Sequence, residues 1–165
     1  MSCLISSINY SPIKSLSFQR INTCEIKKNI GILGDRIFAF SRNVNLNEAK
    51  SIQDDPKQRK LNNFLTLKNS PVLNKYNFKF ENDIIFILKD SEEIVSFQIQ
   101  DKEAIIKKLL ELEPNLPSPT YLLKNELFPF YDSSSNENIS NTISLINLNS
   151  IKDFQKKINK EIEFE

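Results

Sequence analysis

No histidine and no tryptophan occur in the 165 residues, and only two glycines, two cysteines and one methionine do. The lack of histidine excludes Ser-His and Cys-His catalytic pairs, zinc sites that use imidazole and a histidine-based pH switch. Two cysteines, Cys3 and Cys24, are too few for a disulfide scaffold and share no C-x-x-C spacing. They read as reduced core thiols on neighbouring strands. Charge of one sign is lacking too: 22 Lys and Arg against 21 Asp and Glu leave +1. No global field therefore draws nucleic acid or an anionic membrane, and any anion binding is local. No apolar run is long enough for a signal peptide or a membrane span, which predicts a soluble cytoplasmic protein.

What is present is 39% apolar residues with twelve phenylalanines, enough for the core of one domain or of two small ones. Both glycines sit in Asn29-Ile30-Gly31-Ile32-Leu33-Gly34-Asp35-Arg36. In a chain this poor in glycine they mark backbone that needs positive φ or close approach. The stretch reads as a tight corner feeding the strand Arg36–Ser41, presenting a guanidinium and free N–H groups to one point: an anion site. The plain alternative is a turn in which Asp35 caps local N–H groups and Arg36 is solvated.

Along the chain, a first strand is expected over Leu4–Ile8, then an ordered non-helical loop over Tyr10–Ser15 around Pro12. A strand follows over Phe18–Ile26. Asn43–Arg59 reads as a polar surface loop with at most one helical turn near Glu48-Ala49-Lys50, and Phe64–Leu67 as a strand. Tyr76–Phe80, Asp83–Leu88 and Ile94–Ile99, joined at Glu81-Asn82 and Ser91-Glu92-Glu93, predict a three-stranded meander. Asp101 opens a helix whose stripe is Ile105, Ile106, Leu109, Leu110 and Leu112, stopped by Pro114. A short strand is expected over Thr120–Leu123 and a flexible loop at Ser133–Asn136. Another strand should span Thr142–Asn147, and Asn149 or Ser150 should cap a last helix to about Asn159. Ile162–Glu165 alternates like the start of one more strand.

The stretch Ile8-Asn9-Tyr10-Ser11-Pro12-Ile13-Lys14-Ser15 followed by Gly31-Ile32-Leu33-Gly34-Asp35-Arg36 resembles the beginning of MOSC-domain proteins. Their N-terminal module carries Tyr-Pro-(Val/Ile)-Lys-Ser and then a Gly-Leu-x-x-Asp-Arg corner; here Ser11 intervenes between Tyr10 and Pro12. Phe64–Lys68 falls where the family has a strand ending near a basic residue. Ser144–Ile151 resembles the strand-to-helix junction that opens the MOSC domain proper.

The resemblance implies an α+β, mostly β fold. A β-barrel-like N-terminal module with a meander would span 1–99, a helix and linker 100–135, and the first strand and helix of an incomplete MOSC barrel 136–165. It implies molybdopterin, the molybdenum cofactor, as ligand, with Lys14, Ser15 and Arg36 holding it and Asn147 and Ser150 lining the same site. A pterin phosphate suits a bidentate Arg, a point charge such as Lys, and hydroxyl or N–H donors. The family includes molybdenum-dependent reductases and sulfur carriers, so a redox partner or a cysteine desulfurase is implied; pyridoxal phosphate enters only through the desulfurase. In this comparison the chain stops before the family's reactive cysteine, a position neither Cys3 nor Cys24 holds. The expectation is therefore a truncated MOSC-type protein without an assignable metal thiolate. The rival expectation is a non-catalytic β-rich module that binds a partner protein or another phosphate compound. A third is a fragment that is no functional unit, poorly soluble through an unpaired edge.

Overall fold

A computed structural model describes residues 4–131 and 146–158. Its organising element is β5 (Phe38–Phe40), buried along its whole length. Side chains alternate across a strand, so Phe38 and Phe40 enter one core while Ala39 enters a second. In the larger core Phe38 meets Phe80 edge-on at 4.8 Å between ring centroids, and Phe40 meets Phe78 at 5.7 Å. The smaller gathers Val44, Ala49, Ile52, Phe64, Leu123 and Phe130 around Ala39. A strand buried on both faces reads as the continuous apolar run seen here.

Around β5 the chain forms four small sheets and three α-helices, an α+β architecture with no closed barrel among the described residues. β1 (Ile8–Tyr10) pairs antiparallel with β2 (Gln19–Ile21), and β3 (Ile26–Lys27) with β4 (Gly31–Ile32). β5 pairs with β9 (Leu122–Lys124), placing Ala39 opposite Leu123. β6 (Asn77–Glu81), β7 (Ile84–Lys89) and β8 (Glu92–Gln98) make the expected meander. Its first turn, Asn82-Asp83, has φ of 52° and 60°; its second, Asp90-Ser91, has 52° and 67°. Two positive φ values in a two-residue turn match the twist of the flanking strands. The second turn thus comes one residue earlier than expected, because Glu92 already pairs with Lys89.

Helix α2 (Lys102–Leu112) lies where its stripe predicts, burying Ile105 and Leu109 with Pro114 just beyond the end. Asp101 stands at its start without a side-chain capping bond; its carbonyl accepts from Ile105 N–H.

Several local expectations are corrected. The first strand begins at Ile8 and not Leu4, since Leu4 is 93% exposed and has no partner strand. The strand expected over Phe18–Ile26 is divided into β2 and β3, with an exposed Phe18. Cys24 lies in the gap, half-buried, free and outside any strand; Cys3 is outside the described residues. The polar stretch after Asn43 contains a full helix, α1 (Leu46–Asp54), closed by a reciprocal capping box between Asn45 and Glu48. Phe64–Leu67 forms no strand: Phe64 makes one bridge to Ser41 and Leu65 N–H donates to Phe40 O at 2.8 Å. Phe64 and Leu65 then bury in different cores. The last helix, α3 (Leu148–Ile158), is capped by Asn147, whose Oδ1 accepts from Asn149 and Ser150 N–H at 3.0 and 3.4 Å. The expected loop at Ser133–Asn136 and strand at Ile162–Glu165 lie outside the described residues, as does the Thr142–Asn147 strand up to Leu145.

Candidate functional site

The glycine corner is backbone geometry first. Asn29, Gly31, Gly34 and Arg36 have φ of 66°, 90°, 85° and 52°. At Gly34 an added Cβ would lie 3.4 Å from Tyr10 Cε2, so the corner rests on the β1 tyrosine and the positive φ, more than space, requires glycine. From this corner the chain runs beside the Pro12 stretch. Arg36 N–H donates to Ser11 O at 2.6 Å, Phe38 N–H to Pro12 O at 3.0 Å, and Lys14 N–H to Phe38 O at 2.8 Å. Asp35 fixes the join: it is buried, its Oδ1 accepts Ser11 N–H at 2.9 Å, and its Oδ2 accepts from Arg36 Nη1. Ser11 Oγ donates to Ile13 O at 2.6 Å, and the half-buried Ser15 ends the stretch at φ 57°. Two motifs twenty residues apart in sequence thereby share one ladder.

Both cations meet the dipeptide Phe130-Tyr131. Lys14 is 2% exposed; its Nζ donates to Phe130 O at 3.2 Å and lies 5.6 Å from the Phe64 ring centroid. Carbonyl and ring face together offset the loss of water around a buried ammonium. Arg36 accepts Phe130 N–H on its own carbonyl at 2.8 Å and stacks its guanidinium 5.5 Å from the Tyr131 centroid. Tyr131 OH donates to Ile30 O at 2.7 Å, back to the corner. Burial, then the Asp35 carboxylate, pushes the Tyr131 phenol up to about 12. Burial also raises Tyr10, with Glu81 and Asp35 adding to it. Both phenols are neutral at pH 7.

Lys14 and Arg36 nevertheless differ in what they offer. The Arg36 side chain is 31% exposed, and among the described residues its guanidinium donates only to Asp35, through Nη1. Its Nε and Nη2 edge remains for an outside acceptor, in the fork that suits phosphate or carboxylate. Lys14 turns inward.

Asn147 and Ser150 belong to the first turn of α3, are exposed, and hydrogen-bond only within that turn among the described residues. Among the described residues no hydrogen bond joins either of them to the glycine corner. Arg59, which sequence reasoning passed over, shares Phe130 with Lys14. Its Nη1 donates to Phe128 O and Pro129 O at 2.7 and 2.9 Å, its Nε and Nη2 to Ile52 O and Gln53 O at 3.0 and 3.1 Å. The guanidinium carbon lies 4.1 Å from the Phe130 centroid. The only signal in sequence was a lone arginine after Asp54-Asp55-Pro56, with partners about seventy positions on.

Two open depressions lie elsewhere, one at the start of α2 lined by Gln100–Ala104 and Lys107, the other between α1 and Lys60–Asn63. Among the described residues no three of His, Cys, Asp or Glu come together as a metal would require, and no helix is long and apolar enough to cross a membrane. The outward donor at the corner is the Arg36 guanidinium edge, whose chemistry suits an oxyanion such as a phosphate. Compared with protein-family models, curated proteins and solved structures, the chain matches none of them.

Proposed function

We propose that the glycine corner is an oxyanion site and that its ligand is the phosphate of a molybdopterin-type cofactor, in a module of MOSC type. The observation that carries the reading is the ladder between Ser11–Lys14 and Asp35–Phe38, with the Arg36 guanidinium braced by Asp35 and Tyr131 and its other edge free of described partners. Bracing matters because a guanidinium already held in place loses little freedom on binding. Arg36 would take the phosphate oxygens, and Lys14 would set the corner's shape while adding buried positive charge. In this reading the small sheets belong to a barrel-like module, and Ser15, Asn147 and Ser150 reach the cofactor from its periphery. The bound group would supply molybdenum redox or sulfur-carrying chemistry. A desulfurase or redox protein would be the partner, in the cytoplasm.

The test is absorbance and mass spectrometry of the purified full chain for a bound pterin, followed by titration with a phosphorylated pterin. Arg36→Ala should weaken binding by about tenfold or more, the worth of one bidentate charge-assisted contact. Arg36→Lys should restore only part, since an ammonium cannot bridge two oxygens. Unchanged binding in Arg36→Ala overturns the site.

A second reading, a module for a different phosphate compound without redox chemistry, is favoured by the lack of a metal-ligating cluster among the described residues. Binding of simple phosphate esters as tight as that of the pterin, with the same dependence on Arg36, would select it.

A further inference from the structure

Among the described residues Lys75, Lys79, Lys108 and Lys124 each pair with a carboxylate, at Glu113, Glu81, Glu111 and Glu126. Lys102, the first residue of α2, pairs with no acid among the described residues; its Nζ donates to a neutral oxygen, Gln53 Oε1, at 3.5 Å. The orientation of that amide is fixed from both ends. Its Oε1 also accepts Lys124 N–H at 3.0 Å, and its Nε2 donates to Asp54 Oδ1 at 3.3 Å. The Gln53 backbone carbonyl is held as well, accepting from Asn125 Nδ2 at 2.7 Å. Lys102 therefore faces a placed dipole that brings no negative charge to hold an ammonium.

Lys102 is half-buried, and it lines the open depression of about 740 Å³ at the start of α2 together with Gln100, Asp101, Glu103, Ala104 and Lys107. Burial, and then the like charge of Lys124, pull its pKa down from the ordinary lysine value. Both effects favour the free amine over the ammonium. A lysine that is part-desolvated beside a second cation, yet open to a depression, is an activated nucleophile for a carbonyl carbon. In the lining, acidic Asp101 and Glu103 stand with basic Lys107, so the depression does not favour a charged carbonyl compound.

We infer that Lys102 Nζ captures a small uncharged aldehyde in this depression as an imine. The free amine's electron pair forms the C–N bond while the carbonyl π pair moves onto oxygen. Transfer of a proton from nitrogen to that oxygen gives the carbinolamine. Its hydroxyl takes a proton from water in the open depression and leaves as water, while the nitrogen pair closes C=N and a nitrogen proton returns to solvent. One aldehyde is consumed and one water released, with no oxidant or reductant needed. This site uses none of the residues of the glycine corner and stands independently of the oxyanion reading.

The test is to treat the full chain with acetaldehyde and trap any imine with cyanoborohydride, reading each lysine by peptide mass spectrometry. At about pH 7, Lys102 should carry several times the label of the acid-paired Lys75, Lys79 and Lys108. That advantage should shrink toward about pH 10, where ordinary lysine amines lose their proton too. Gln53→Glu sets a carboxylate against the Lys102 ammonium and should remove the advantage, with a melting curve confirming that the variant folds. Lys124→Met removes the like charge and should reduce the advantage; it decides the matter should Gln53→Glu fail to fold. Lys107→Met, in the same depression, should leave the Lys102 label unchanged. Label spread evenly over the lysines at about pH 7 overturns the proposal. A Lys102 label undiminished in folded Gln53→Glu, or in Lys124→Met, overturns it equally.

Discussion

Removing Arg59 gives a stability change that can be worked from the structure. Its guanidinium donates to four carbonyls, Ile52 and Gln53 at the end of α1 and Phe128 and Pro129 before the Phe130-Tyr131 dipeptide, at 2.7–3.1 Å. It also stacks on Phe130. Burial pulls its pKa down to about 10, so it is still protonated at pH 7, with desolvation weakening the net gain. A charged donor is worth about 1.5–3 kcal/mol net per hydrogen bond and a part-desolvated cation–π contact about 1–2. Four bonds from one group do not add, and half-exposed carbonyls recover water after truncation. Arg59→Ala should therefore cost about 3 kcal/mol, lowering the melting midpoint by about 6–12 °C for a chain of this size. Arg59→Lys should recover less than half, because an ammonium cannot span carbonyls on both segments. Urea unfolding would read the free energy, and hydrogen exchange would locate it: the Phe130 amide, bonded to Arg36 O, should lose protection before the meander does. A loss below about 1 kcal/mol, or a lysine variant equal to wild type, would refute the picture of a two-sided clamp.

Asn45→Ala removes the Glu48 N–H acceptor of the α1 capping box and should cost about 1 kcal/mol in urea unfolding; no loss would mean α1 is held by Ala49 and Ile52 alone. Asp83→Gly, at φ 60° in the first meander turn, should stabilise by about 0.5–1 kcal/mol, since glycine adopts that conformation without a Cβ penalty; destabilisation would point to a side-chain role. Tyr131 has a native pKa raised to about 12. The unfolded chain releases that proton first, near 10, so the phenol's contribution is whole below pH 10 and is lost as pH rises to about 12. Tyr131→Phe should therefore lose less stability than wild type between pH 10 and 12, and parallel pH profiles would refute the assignment.

What was legible in the sequence was local. The meander announced itself by the strict alternation of Tyr76–Phe80 and the turn residues Glu81-Asn82, though the turn itself falls one residue later at Asn82-Asp83; α2 did so by a five-residue apolar stripe ended by Pro114. Helix α1 escaped because only Ala49 and Ile52 reach the core, too few to make a period; the clue was the polar pair Asn45 and Glu48, three apart. Phe64-Leu65 read as a strand because two adjacent apolar residues look alike in sequence, while in space they separate into two cores. Asp35 is the counterexample, a local cap by inspection whose other oxygen reaches Ser11 twenty-four residues back.

Depth separates the two cations that sequence treated as a pair. A lysine after proline and an arginine after glycine look equally free on paper, and the residue that distinguishes them, Phe130, lies more than ninety positions beyond both. Its carbonyl draws the Lys14 ammonium inside, while its N–H takes the Arg36 carbonyl and leaves the guanidinium outside over Tyr131. The proposed roles divide accordingly. Lys14→Met, matching length without charge, should change stability and leave phosphate binding weakened by no more than the loss of a distant charge. Arg36→Ala should cost stability only through its contacts with Asp35 and Tyr131, and should lose the bidentate contact. Equal effects of both substitutions on both properties would mean that the corner is a single structural unit, with no oxyanion role to assign.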